Sequence, residues 1–263
     1  MFVTTSFHPG IKELHEARSL ASSLGVPFIQ RERDSLVDLF ARTGKKQVII
    51  VTKKGWRYED QKGDQFFFHP NMSALRIKHM MKGEPDALVA SSSMEPGDQV
   101  LDCTLGMGAD AIVSSFAVGE EGKVVALESQ PVIAALVKQG LKTYMTNRKE
   151  LNRAMRAIEV VQADYRFYLR QCPDRSFDIV YFDPMFRETV QSSAAMQMLK
   201  PIANPEPLDE DSVREAVRVA KKAVLLKERP KSGEFERLGF EIVKEASNYA
   251  WGVIRKKEGR DES

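Results

Sequence analysis

Four short stretches hold residue types that could do chemistry. Val100–Asp110, VLDCTLGMGAD, sets Asp102 and Thr104 before a glycine turn, Gly106 and Gly108, with Ala109 and Asp110 behind it. Glutamate closes KVVALES at Glu128-Ser129, Asp164-Tyr165 closes VVQADY, and Asp183-Pro184-Met185-Phe186 follows FDIVYF. Glycines at a turn let a backbone approach a ligand where a Cβ would clash. A helix starting there aims free N–H groups into the same space. A pyrophosphate at that helix start would repel Asp102 and Asp110, and the third glycine of a dinucleotide fingerprint is missing. These carboxylates therefore point to a cofactor with a cationic end. The amino group and sulfonium of S-adenosyl-L-methionine meet that requirement; NAD does not. The plainer alternative makes Asp110 a helix cap. Glu128, roughly 20 residues past the turn, can accept from two ribose hydroxyls. Asp164 can accept from an adenine amino group, with Tyr165 beside the ring. Proline just past a strand ends its ladder and stiffens the turn, which would hold the Asp183 carboxylate at a sheet edge. Phe186 offers a ring for base stacking. The plainer alternative there is a strand stop with a buried Phe.

These residues need strand ends to hold them, and the chain supplies strands. From residue 99 onward, strands are expected at 100–104, 123–128, 158–163, 177–182, 223–227, 240–245 and 250–255, with helices at 109–118, 131–146 and 211–221. The first strands are near-continuous apolar runs, as parallel strands covered on both faces must be. The expected fold is α/β: a Rossmann-like, doubly wound, seven-stranded, mostly parallel sheet. Ligands of such sheets bind outside the carboxyl ends of the strands, where the acidic residues fall. Residues 1–85 read as a separate small α/β domain for substrate recognition, and 86–263 as the catalytic domain. The front part should hold strands at 2–6, 26–29, 47–52 and 65–68, a hairpin turning at Lys53-Lys54-Gly55, and helices at 11–24, 35–41 and 71–81.

Bulk properties narrow the partners. The chain has 263 residues and net charge +2, enough for a full core plus a smaller domain. Residues 1–84 hold fourteen Lys and Arg against nine Asp and Glu. That excess is compatible with a phosphate-rich substrate, or with an ordinary solvated face. Two basic runs, Arg76/Lys78/Lys82 and Lys142/Arg148/Lys149/Arg153/Arg156, could contact phosphates. Two cysteines, Cys103 and Cys172, and four histidines suggest no metal cluster. No signal peptide or bilayer-length apolar run is visible, so a cytoplasmic protein without a membrane partner is expected.

DPMF, with LDCTLGMGADA, LES and QADY upstream, and MQMLKPI and VLLKERP downstream, resembles the RsmJ-like methyltransferases. Those enzymes use S-adenosylmethionine to modify guanine N2 in small-subunit ribosomal RNA. The resemblance covers most of residues 70–255. It implies that Asp183, Pro184, Met185 and Phe186 serve catalysis, that the upstream acidic and glycine positions hold the cofactor, and that ribosomal RNA or the small subunit is the partner. Two positions depart from the family: Ala109 and Ser129 stand where it usually has Arg. The same chemistry on another RNA or on a DNA adenine is the nearest alternative. A nicotinamide-dependent oxidoreductase and a non-catalytic RNA-binding module are the alternatives of other classes.

Overall fold

A computed structural model describes residues 1–184 and 206–256. The described residues form two contact-defined units. The first takes in 1–69 and 131–144, with the second built from the rest.

In the first unit, β1 (Phe2–Thr5), β2 (Gln47–Thr52), β3 (Gly55–Asp60) and β4 (Gln65–Phe67) form a sheet in that order. β1 runs parallel to β2, and the remaining pairs are antiparallel. Helix α1 (Ile11–Ser23) packs on β1 and β2. Helix α2 (Leu36–Thr43) opens with a capping box at Ser35 and stops at Gly44, φ 63°. The expected strand at 26–29 is reduced to a single bridge, Val3 to Phe28. Its neighbours Pro27 and Ile29 bond Val3 but extend no ladder, because proline lacks the N–H that a ladder needs.

The second unit opens with α3 (Asn71–Met80) and α4 (Ala87–Ser92). Its sheet contains β5 (Gln99–Asp102), β6 (Lys123–Glu128), β7 (Ile158–Gln162), β8 (Phe177–Phe182), β9 (Ala220–Glu228), β10 (Glu241–Glu245) and β11 (Ala250–Arg255). The strand order is β10-β11-β9-β8-β5-β6-β7, parallel except for β11 against both β9 and β10. This is the seven-stranded Rossmann-like sheet the apolar runs predict. Helices α5 (Ala109–Val118), α7 (Lys149–Arg156), α8 (Tyr165–Gln171), α9 (Glu210–Val219) and α10 (Glu234–Leu238) accompany it. Helix α6 (Pro131–Thr143), between β6 and β7 in sequence, groups with the first unit and packs on β3 and β4.

Alternation explains why both faces of the central strands are apolar. Leu101, Leu127, Val180, Phe182, Val224 and Leu226 join Leu169 of α8, Val213 of α9 and Phe235 of α10 in one core. Their alternates, Val100, Val124, Ile179 and Leu225, are equally buried. Each such Val or Leu contributes about 1.5–3 kcal/mol on burial. No helix among the described residues is long and apolar enough to cross a membrane.

Candidate functional site at the carboxyl ends of the strands

The chain passes from β5 to β6 and β7 on one side, then to β8 and β9 on the other. The crevice of such a sheet lies at that reversal, between β5 and β8. Backbone bonds draw the strand ends together there. Cys103 N–H donates to the Tyr181 carbonyl at 2.9 Å, and Leu105 N–H to the Leu127 carbonyl at 2.8 Å. The Asp183 N–H donates to Thr104 Oγ1 at 2.6 Å.

The turn uses its glycines for conformation. Gly106 has φ 48° and Gly108 φ 77°, where L-residues pay for the Cβ. Among the described residues a Cβ on Gly106 would meet only the Thr104 carbonyl, at 3.9 Å. Gly108 is the N-cap of α5, which begins at Ala109. Glu128 braces this turn: Oε2 accepts from Gly106 N–H at 3.2 Å and Oε1 from Gln130 N–H at 2.9 Å. Burial raises its carboxyl, and those backbone donors with Ser129 pull the other way.

Asp102 is 1% exposed. Its Oδ1 accepts from Thr104 N–H at 2.9 Å, while the buried Oδ2 has no partner among the described residues. Desolvation lifts its carboxyl to about 8; the Thr104 bond opposes this, and the charges of Asp110, Asp183 and Glu128 add to it. An orphaned carboxylate oxygen beside a glycine turn suits a cationic, hydrogen-bonding ligand, as S-adenosylmethionine would be.

Asp110 is different. The sequence offers it a cationic ligand or a capping role; the N-cap is Gly108, and the Asp110 carboxylate is paired within the fold. Arg76 of α3 pairs with Oδ1, and Oδ2 receives the Tyr181 hydroxyl at 2.9 Å and Lys227 Nζ at 3.2 Å. Burial alone would raise this carboxyl, but Lys227 and Arg76 overcome it and hold it well below the usual range. Arg76 also grips Asp86, Nε to Oδ2 at 2.8 Å and Nη2 to Oδ1 at 2.8 Å. Its expected role as a phosphate contact is thereby corrected: both guanidinium edges serve interior carboxylates.

Asp164 caps α8, accepting from Arg166 N–H at 2.9 Å, and Arg166 Nη2 reaches Oδ2 at 2.8 Å. The Tyr165 ring stands edge-on to Phe182, centroids 5.4 Å apart. Asp183 Oδ2 receives Lys227 Nζ at 2.7 Å. The β8–β9 register pairs Phe182 with Leu226, which sets the next residues, Asp183 and Lys227, side by side. Pro184 closes the described part of this turn; Met185, Phe186 and MQMLKPI lie outside the described residues. Ala109 and Ser129 are half-buried beside the turn. Lys227 is the functional candidate that sequence reasoning missed. VLLKERP is visible as a strand, but its partner is 44 residues away.

The second basic run is partly engaged. Arg153 pairs with Glu120, and Arg148 donates to the Ala74 carbonyl at 3.0 Å, whereas Lys142 and Lys149 are exposed. Among the described residues no group of three or more His, Cys, Asp or Glu is placed to hold a metal.

A family model described as "Putative SAM-dependent methyltransferase" matches residues 57–239. The uncharacterized protein YpiP of Bacillus subtilis is 38% identical over 254 residues, 96% of this chain and 98% of that protein. Ribosomal RNA small subunit methyltransferase J of Hydrogenovibrio crunogenus is 31% identical over 157 residues, 57% of this chain and 54% of that enzyme. The corresponding enzyme of Laribacter hongkongensis is 34% identical over 155 residues, 57% of this chain and 53% of its own. This chain thus matches about half the length of those methyltransferases. The crystal structure of the SAM-dependent methyltransferase NGO1261 from Neisseria gonorrhoeae shares the fold, with TM-score 0.63 at 14% identity, covering 98% of this chain and 97% of that one. With the family model spanning well over half of its length, this chain belongs to the SAM-dependent methyltransferases, and S-adenosylmethionine is its cofactor.

Proposed function

We propose that this chain methylates an exocyclic amino group of a nucleobase in small-subunit ribosomal RNA, with guanine N2 as the target. The observation that carries the reading is Asp183-Pro184 at the end of β8, fixed through Thr104 and Lys227 at the same carboxyl edge of the sheet as Asp102 and Glu128. Similarity to small-subunit methyltransferase J supports the ribosomal substrate.

When bound, S-adenosylmethionine supplies a sulfonium methyl, which the amine takes with its lone pair while sulfur keeps the electrons of the broken bond. Asp102, the Gly106–Gly108 turn and Glu128 would hold it, with Asp164 and Tyr165 at the adenine end; Thr104, Ala109, Asp110 and Ser129 frame that space. An exocyclic amine is a poor nucleophile because its lone pair is delocalised into the ring. Donating its N–H groups to the Asp183 carboxylate and the Pro184 carbonyl draws the nitrogen toward a tetrahedral shape. The methylated nitrogen carries one proton too many, which passes to Asp183 or to water. The gain comes from positioning and electrostatics, and no metal is needed. Met185 and Phe186 would complete the pocket, Phe186 by stacking on the base. Residues 1–85 would bind the RNA, and the cytoplasm is where we place the reaction.

Single-turnover transfer with saturating cofactor tests the role of Asp183. Asp183→Ala should lower the rate by roughly 10²–10³ while cofactor affinity stays within a few-fold. Asp183→Asn should be milder, since an amide carbonyl still accepts a hydrogen bond. An Asp183→Ala protein that methylates at the wild-type rate would remove the DPMF turn from the chemistry.

A further inference from the structure

Five charged side chains run in an unbroken line through the second unit: Asp86, Arg76, Asp110, Lys227 and Asp183. The line starts on the segment ahead of α4, crosses α3 and α5, and ends on the turn after β8. Lys227 is its last cation. Nζ lies 3.2 Å from Asp110 Oδ2 and 2.7 Å from Asp183 Oδ2. It also sits 5.6 Å from the centroids of both Tyr249 and Trp251, whose faces attract a cation. Ladder pairing puts Trp251 directly beside Lys227, so the ammonium is enclosed by two carboxylates and two rings. Burial disfavours its charge, but Asp110 and Asp183 more than reverse that and hold the ammonium above its ordinary value.

The two carboxylates it joins are not equivalent. Asp110 keeps Arg76 and the Tyr181 hydroxyl whatever becomes of Lys227. Asp183 has Lys227 as its cation among the described residues. Among the described residues, the other ionisable groups around Asp183 are Asp110 of α5, Tyr181 of β8, Asp102 at the end of β5 and Glu228 of β9, all of them acids.

Resting on the function proposed above, we infer that Lys227 is a positioning residue: its ammonium anchors one oxygen of Asp183 and leaves the other for the base amine. Removing it would leave two neighbouring, partly buried carboxylates facing each other, and one of them must then take a proton. The proton goes to Asp183, because Asp110 retains its arginine. Burial, the Asp110 charge and the Asp110 side-chain contact hold the Asp183 carboxyl above its ordinary value even with Lys227 opposing them, so losing Lys227 moves it further up. A protonated Asp183 cannot receive the proton that leaves the methylated amine.

The test combines Lys227→Met, Lys227→Arg, Asp183→Asn and the double variant Asp183→Asn/Lys227→Met. Single-turnover methyl transfer to small-subunit ribosomal RNA is followed across pH at saturating cofactor. At pH 7 Lys227→Met should be about 100-fold slower than wild type. Its rate should climb with pH where the wild-type rate has levelled, because Asp183 ionises there. Lys227→Arg should recover most of the rate. The double variant should be no slower than Asp183→Asn, since Lys227 acts through Asp183; this arm stands even if Lys227→Met folds poorly, because it removes both charges. A Lys227→Met profile parallel to wild type at every pH, or a double variant much slower than Asp183→Asn, overturns the inference. Carboxyl ¹³C titration separates this failure from failure of the RNA reading. Wild-type protein that methylates no RNA defeats that reading. The titration then decides the Lys227 inference alone: Asp183 ionised at pH 7 in wild type and protonated in Lys227→Met supports it, and identical titrations overturn it.

Discussion

Asp102 and Asp110 are acids eight positions apart with opposite fates. Asp102 is buried with one oxygen unpartnered, and its carboxyl rises to about 8. The unfolded chain releases this proton near pH 4, so between about 4 and 8 the ligand-free folded protein binds more protons than the unfolded one. Stability should therefore fall as pH rises through that window. Asp102→Asn keeps the Thr104 bond without the ionisation, and melting curves across pH should show that decline flattened. An unchanged slope would mean that Asp102 is not the titrating group. Asp110 has the reverse sign: its folded carboxyl lies below the ordinary value, so its contribution is complete above about pH 4 and is lost in stronger acid. At the turn, Gly106→Val would force φ 48° on a β-branched residue and add its bulk there. Cofactor affinity measured by calorimetry should collapse while the fold survives, and wild-type affinity would contradict the proposed cradle.

At the scale of elements, α3 is an integral support of the site. Arg76 reaches from it to both Asp86 and Asp110. Leaving two largely buried carboxylates without their arginine costs about 3–5 kcal/mol. Arg76→Met should accordingly lower the melting temperature by well over 5 °C and move acid unfolding to higher pH, because Asp110 loses part of what keeps it ionised. A melting temperature within 1 °C of wild type would contradict that role; both margins follow from about 2–4 °C per kcal/mol for a chain of this size. The parallel strands were legible in the sequence because burial on both faces writes them as apolar runs: β6 and β8 fall where the runs do. Helices α4, α7, α8 and α10 were not, being short, and α7 is so basic that KELNRAMR reads as a charge run although Leu151, Ala154 and Met155 are buried. The acidic strand ends were equally legible, since each lies at the end of its strand or within two residues of it. Their partners were not. Arg76 is 34 residues from Asp110 and Lys227 is 117 away, distances at which only the fold brings charges together.

At the scale of the whole molecule, the proposed division of labour gives RNA binding to residues 1–85 and chemistry to the sheet that carries Asp183. Lys53 and Lys54 are exposed at the β2–β3 turn of the first unit. Lys53→Glu/Lys54→Glu should weaken RNA binding and reduce the slope of log affinity against log salt by about 1–2, as expected for one or two lost phosphate contacts. An unchanged slope would make the hairpin structural only. The central question is whether this chain moves a methyl group onto a ribosomal base amine. The direct measurement is incubation with methyl-labelled S-adenosylmethionine and small-subunit particles at successive assembly stages, followed by nucleoside analysis of the RNA. Label is expected in N2-methylguanosine from the small-subunit RNA and is expected to be lost with Asp183→Ala. Label confined to methyladenosine, to protein or to no product at all would contradict the proposed reaction.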